Sequence, residues 1–182
     1  ATLLRVPFHL ELVCTLIDQG VCAEDLAHVT TRAQLLDEYW RCRIEHPRVQ
    51  AAREALLYEV CKRMVERRRM FASVHPPLPQ SQELDPVRSI GLLVEPALDE
   101  GIRDDRRVEF SHHVMFDYAL ARVWLPPETD DLGALLAEQP ELVLFARPSL
   151  DLYFERLWHR DPQRTRFWET VLGLCANPRI PE

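Results

Sequence analysis

The sequence predicts a mainly α-helical chain carrying a single β-hairpin, and three observations lead there. Apolar residues recur at three- and four-residue spacing along most of the chain. Prolines cut these stretches into helix-sized blocks. Only two short runs, 92–94 and 108–110, read as strands, paired across a charged turn at 101–107.

Pro7 opens the first helix, where Phe8, Leu12, Val13, Leu16 and Ile17 follow at helical spacing until Gly20 stops the run. On the residues alone Pro7 is an ordinary first-turn proline. Residues 23–29 suit a short helix. Thr31 with Gln34 then makes the capping-box pattern of a longer one, whose stripe of Leu35, Leu36, Tyr39, Trp40 and Ile44 ends near Pro47. The Tyr-Trp pair shares that stripe with leucines and is read as core. The longest amphipathic run, 49–69, puts Ala52, Leu56, Leu57, Val60, Cys61, Met64 and Val65 on one face. It ends in Arg67, Arg68 and Arg69, cations that suit the negative end of a helix dipole. The three prolines in 75–80 mark a linker or extended loop. Asp85 and Pro86 then read as N-cap and first residue of a short helix ahead of the hairpin.

The segment FSHHVMFDYALAR, 110–122, is where the hairpin gives way to an almost wholly apolar helix. Ser111 is the expected N-cap. His112 and His113 then occupy the first turn, where unpaired N–H groups and the helix dipole favour an anion. From 114 to 125 only Asp117 and Arg122 interrupt the apolar run, so this helix is expected to be buried on most sides. Pro126 and Pro127 end it, and Pro140, Pro148, Pro162 and Pro178 punctuate the remainder of the chain. Asp161 and Pro162 read as an N-cap and first-turn pair. Leu150, Tyr153, Phe154, Leu157 and Trp158 make one stripe, and Phe167, Trp168, Val171, Leu172 and Cys175 the next, the pattern of stacked helical repeats.

The formal charge is −7, and Lys62 is the one lysine among 22 basic residues. That balance opposes a nucleic-acid partner, which needs a concentrated positive surface. No apolar run approaches the roughly 18 residues of a membrane span, and a cytoplasmic location is expected. None of the 5 glycines belongs to a phosphate-cradling loop. The 5 cysteines form no C-x-x-C pair and are read as reduced core residues. Ser111, His112 and Asp117 are too close in sequence for a triad, and no metal-ligand spacing is present. The chain is therefore expected to have no catalytic constellation of its own.

Phe110, His112, Phe116, Asp117, Tyr118, Ala119 and Ala121 together resemble the signature of the winged-helix domain in STAND-type signalling ATPases, particularly their NACHT-like branch. The resemblance implies a small helical domain at 1–46, a winged-helix-like domain at 47–125, and the start of a HEAT/TPR-like helical-repeat sensor at 126–182. It implies a segment C-terminal to a P-loop domain. ADP or ATP with magnesium would then belong only to the intact protein, an ATPase, and no cofactor to this segment alone. In that family the signature histidine, here His112, approaches the terminal phosphate of ADP, and a proline matching Pro7 lies against the adenine. The implied partners are the intramolecular nucleotide-binding domain, and a protein trigger or further copies of the protein through the repeats. Neither nucleic acid nor membrane is expected. Read from its own residues, His112 is a helix-terminal histidine bonded to neighbouring backbone. Two other classes stay open: a winged-helix transcriptional regulator, and a helical protein–protein scaffold with no nucleotide.

Overall fold

The computed structural model describes residues 3–96, 106–127 and 129–180. The expected turn lies outside them at 101–105. The described chain is mainly helical with a small antiparallel sheet of three strands. It forms two compact units, Ala1–Ala51 and Ala52–Glu182. No helix among the described residues is long and apolar enough to cross a membrane.

In the first unit, α1 (Pro7–Asp18) packs on α3 (Arg32–Arg43), with the short α2 (Ala23–Leu26) between them in sequence. Pro7 stands at the first helical position and is exposed. There its fixed φ suits the helix and its missing N–H costs nothing. Gly20, at φ 87°, closes α1: its N–H reaches the Ile17 carbonyl, while that of Val21 reaches Leu16. A residue without Cβ adopts this left-handed conformation freely. The capping box is formed as expected. The Gln34 N–H donates to Thr31 Oγ1 (3.2 Å), and the Thr31 N–H donates to Gln34 Oε1 (3.1 Å). Leu12, Leu16, Leu35, Leu36, Tyr39, Trp40 and Ile44 fill the core, whereas Ile17 faces outward.

The second unit is built on α4 (Gln50–Arg67), the helix expected at 49–69, and the face expected to be apolar is buried from Leu56 to Val65. Arg68 adopts φ 50°, and the Arg69 N–H returns to the Met64 carbonyl, so the helix stops by turning left-handed at a charged residue. β1 (Ala72–Ser73) follows, a strand the sequence does not predict. It is held from α4 by Arg63, which donates to the carbonyls of Ser73 (2.9 Å) and Pro76 (2.7 Å) while its Nε pairs with Glu59. Next come α5 (Leu84–Ser89), β2 (Leu93–Val94) and β3 (Arg107–Phe110). Strand order is β1-β3-β2, with Ala72 opposite Val108 and Leu93 opposite Phe110. The expected hairpin strands, β2 and β3, are therefore paired within a slightly larger sheet. Asp85 lies inside the first turn of α5, where it pairs with Arg88 (3.2 Å), and does not cap it.

From β3 the chain enters α6 (His113–Ala119), which widens into a π turn at Leu120–Trp124. α7 (Thr129–Glu138), α8 (Leu142–Phe145), α9 (Arg147–Arg160) and α10 (Thr165–Ala176) complete the unit. α9 packs on α6, the π turn, α8 and α10, while α7 packs on α10. Asp161 caps no helix start directly. Its carboxylate accepts from the Gln163 and Thr165 N–H groups (2.9 and 2.8 Å) across a loop, so α10 starts at Thr165. The apolar stripe of α10 is largely outward: Trp168 is 49% and Leu172 64% exposed. The cysteines also differ from expectation. Cys61 alone is buried, Cys42 is intermediate, and Cys14, Cys22 and Cys175 are exposed, because the local backbone turns those positions away from the core.

Candidate functional site

The junction of β3 and α6 is fixed from both sides. The Ser111 N–H donates to the Leu92 carbonyl (3.0 Å) just past the end of β3, and Ser111 does not cap the helix. The cap is His112, one residue later than expected. Its backbone is extended (φ −146°, ψ 141°), and its ring Nδ1 accepts the Val114 N–H (3.2 Å). A histidine cap of this kind uses the neutral ring with its proton on Nε2. Because His112 precedes the helix, its ring does not diverge from that of His113. The two stack with centroids 4.2 Å apart and planes 30° apart. Face-to-face rings do not converge on one ion, and among the described residues no group of three or more His, Cys, Asp or Glu is placed to hold a metal.

His112 is half-buried at the edge of a shallow cavity of about 290 Å3 whose walls also include Met70, Glu109, Phe110, Ser111 and His113. Glu109 is an acidic residue in the wall of the same cavity. A free phosphate dianion therefore meets one repulsive neighbour there, and this cavity alone does not fit a nucleotide's phosphates.

Behind the junction, the rest of the 110–122 segment is core. Phe110 and Phe116 lie 5.8 Å apart in a tilted pair, and Phe116 meets Phe145 edge-on at 5.9 Å. Asp117 is 8% exposed and its Oδ1 accepts from the hydroxyl of Ser149 (3.0 Å), which is fully buried on α9. This burial excludes Asp117 from any role beside Ser111. Tyr118 accepts at its hydroxyl from Arg122 Nη1 (2.8 Å), and the Arg156 guanidinium lies 5.4 Å from its ring centre. Ser149 and Arg156 escaped sequence reasoning, although both sit on α9, the helix that carries the stripe of Leu150, Tyr153, Phe154, Leu157 and Trp158. The signal was there: a serine and an arginine on the inward side of an apolar stripe need polar partners, and Asp117 is the unexplained polar residue in the helix opposite.

Pro7 belongs to the first unit and His112 to the second. Comparison of the chain with protein-family models, with curated proteins and with solved structures gave no match.

Proposed function

We propose that this chain is the regulatory segment of a STAND-type nucleotide switch, closing over ADP bound by a preceding P-loop domain and passing its state to C-terminal helical repeats. The observation that carries the reading is the position of His112. It stands at the strand-to-helix junction with Nδ1 committed to the Val114 N–H, which leaves the ring in the tautomer whose Nε2 is a donor. A donor at a helix start is what a terminal phosphate would meet from a covering domain. Support also comes from segment order, since a long helix, a short helix and a hairpin precede the His112 helix, as in the winged-helix-like reading. Pro7 at an exposed helix start is compatible with a surface against adenine. The outward apolar stripe of α10 suits a further repeat stacked on it. Magnesium and most phosphate contacts would lie in the preceding domain, because Glu109 makes the His112 cavity a poor anion site by itself.

A DNA-reading use of the same elements is disfavoured by α5. Its Arg88 is engaged by Asp85 (3.2 Å) and Glu95 (3.1 Å), and Glu95 is held by Arg106 as well. The test is nucleotide retention by the intact protein. Purified wild type is expected to keep ADP through gel filtration, and His112→Ala to lose it and signal without its trigger. Equal retention by the two proteins would remove the switch reading and leave a helical scaffold.

A further inference from the structure

A second cavity, of about 500 Å3, lies wholly within the second unit, walled by α4, the π turn, α9 and the start of α10. Among the described residues four arginines line it, Arg122, Arg156, Arg160 and Arg166, against one carboxylate, Glu54. We propose that it is a binding site for a small phosphorylated ligand whose recognised group is a diphosphate.

Charge is the first reason. In a chain of net charge −7, four arginines line one concave surface. Arg122 and Arg156 are anchored, donating to the Tyr118 hydroxyl (2.8 Å) and the Ala121 carbonyl (3.4 Å), while the rim pair Arg160 and Arg166 adds positive charge that concave walls focus on an anion. The burial is graded as such a site requires. Arg156 is 7% exposed at the floor, and Arg160 and Arg166 are exposed at the rim. No carboxylate among the described residues forms an ion pair with either rim arginine. Guanidiniums present planar forks that match phosphate oxygens, and several at different depths fit two linked phosphates better than one.

The local backbone is the second reason. The Leu125 N–H reaches back five residues to the Leu120 carbonyl (2.9 Å), and the widened turn puts Ala121, Arg122 and Val123 into the cavity wall. The volume lies within the roughly 300–1,000 Å3 of small-molecule pockets. Tyr58, Leu125 and Leu157 give it apolar wall for an organic moiety beyond the phosphates. A nucleoside diphosphate and inorganic pyrophosphate share the recognised group. His112 lines a different cavity, so this site does not depend on the switch reading.

Calorimetry on the 182-residue chain without magnesium tests it, with pyrophosphate and ADP as probes. Binding at a Kd of about 0.1 mM or tighter is expected for pyrophosphate, weakening as salt is raised. ADP binding more tightly than pyrophosphate identifies a nucleotide as the source, and equal affinities identify the diphosphate alone. Arg160→Ala with Arg166→Ala should weaken binding about tenfold or more. Both residues are exposed, so thermal melting confirms that the fold is kept. His112→Ala should leave the affinity unchanged. No binding of either probe at millimolar concentration overturns the proposal, as does binding that survives the double replacement or is lost in His112→Ala.

Discussion

Replacing His112 separates two roles that the ring holds at once. In the 182-residue chain, His112→Ala removes the acceptor for the half-buried Val114 N–H at 3.2 Å. Loss of an N-cap costs about 0.5–2 kcal/mol. In a chain of this size each 1 kcal/mol lowers the melting temperature by about 2–4 °C. The expected result is therefore a drop of a few degrees, read by differential scanning calorimetry. His112→Asn should recover most of it, because an asparagine oxygen accepts the same bond. In the intact protein the two variants should behave alike, since neither presents a ring Nε2–H, and both should release ADP. His113→Ala, at an exposed position, should change stability by no more than about 0.5 kcal/mol and leave ADP retention intact. A melting temperature unmoved by His112→Ala would refute the cap. Full ADP retention by His112→Asn would show that capping is all the residue does.

At the crossing of α7 and α10, a Cβ added at Gly173 would stand 2.7 Å from the Thr129 methyl, so Gly173→Ala should destabilise by about 1–3 kcal/mol. Hydrogen exchange should then rise first in those two helices; protection unchanged there would mean the helices separate at no cost. Ser149→Ala removes a buried donor to the Asp117 carboxylate (3.0 Å) and should cost about 1.5–3 kcal/mol by urea denaturation. A cycle with Asp117→Asn should show the two effects coupled, and simple additivity would deny the bond. Among the exposed thiols, that of Cys22 donates to Asp25 Oδ2 (2.9 Å), and this hydrogen bond to a carboxylate raises its pKa. Thiolate formation is therefore displaced to higher pH, and alkylation near pH 8 should be slower at Cys22 than at Cys14. Asp25→Asn should close that gap, as followed by peptide mass spectrometry.

The legible parts of the fold are those written in local sequence. The face of α4 from Leu56 to Val65 repeats at helical spacing, and Thr31 and Gln34 state their capping box three residues apart. Long-range pairing was not legible. β1 is two residues, too short for any periodicity, and exists because Ala72 and Ser73 pair with Val108 and Arg107. The same strand system moved the start of α6. Ser111 has the side chain of a good cap, but its N–H is tied to the Leu92 carbonyl just past the end of β3, and the histidine caps instead. The start of α10 moved for a comparable reason, since Asp161 bonds N–H groups two and four residues on through a loop. The arginine cavity could not be found by motif. Arg122 is on the π turn, Arg156 and Arg160 are on α9, and Arg166 is on α10, and only packing brings them to one surface.

The 110–122 segment also indicates where the choice between scaffold and switch must be made. Phe110, Phe116, Asp117, Tyr118, Ala119 and Ala121 are all buried. Phe110 and Phe116 continue the sheet's apolar surface toward Phe145, Asp117 bonds α9 through Ser149, and Tyr118 holds Arg122. Ala119 and Ala121 are small where α9 packs closely on α6 and the π turn. Packing alone gives a sufficient reason for each of these residue types, so their joint occurrence follows from the fold whatever the protein does. His112 differs. A cap at this position is served equally well by serine, threonine, asparagine or aspartate, all of them smaller than an imidazole that stands half-buried at a cavity edge. Capping accounts for the acceptor Nδ1, and the ring face stacks on His113 at 4.2 Å. A nucleotide-sensing role therefore rests on the part of the side chain that His112→Asn removes and the cap does not use.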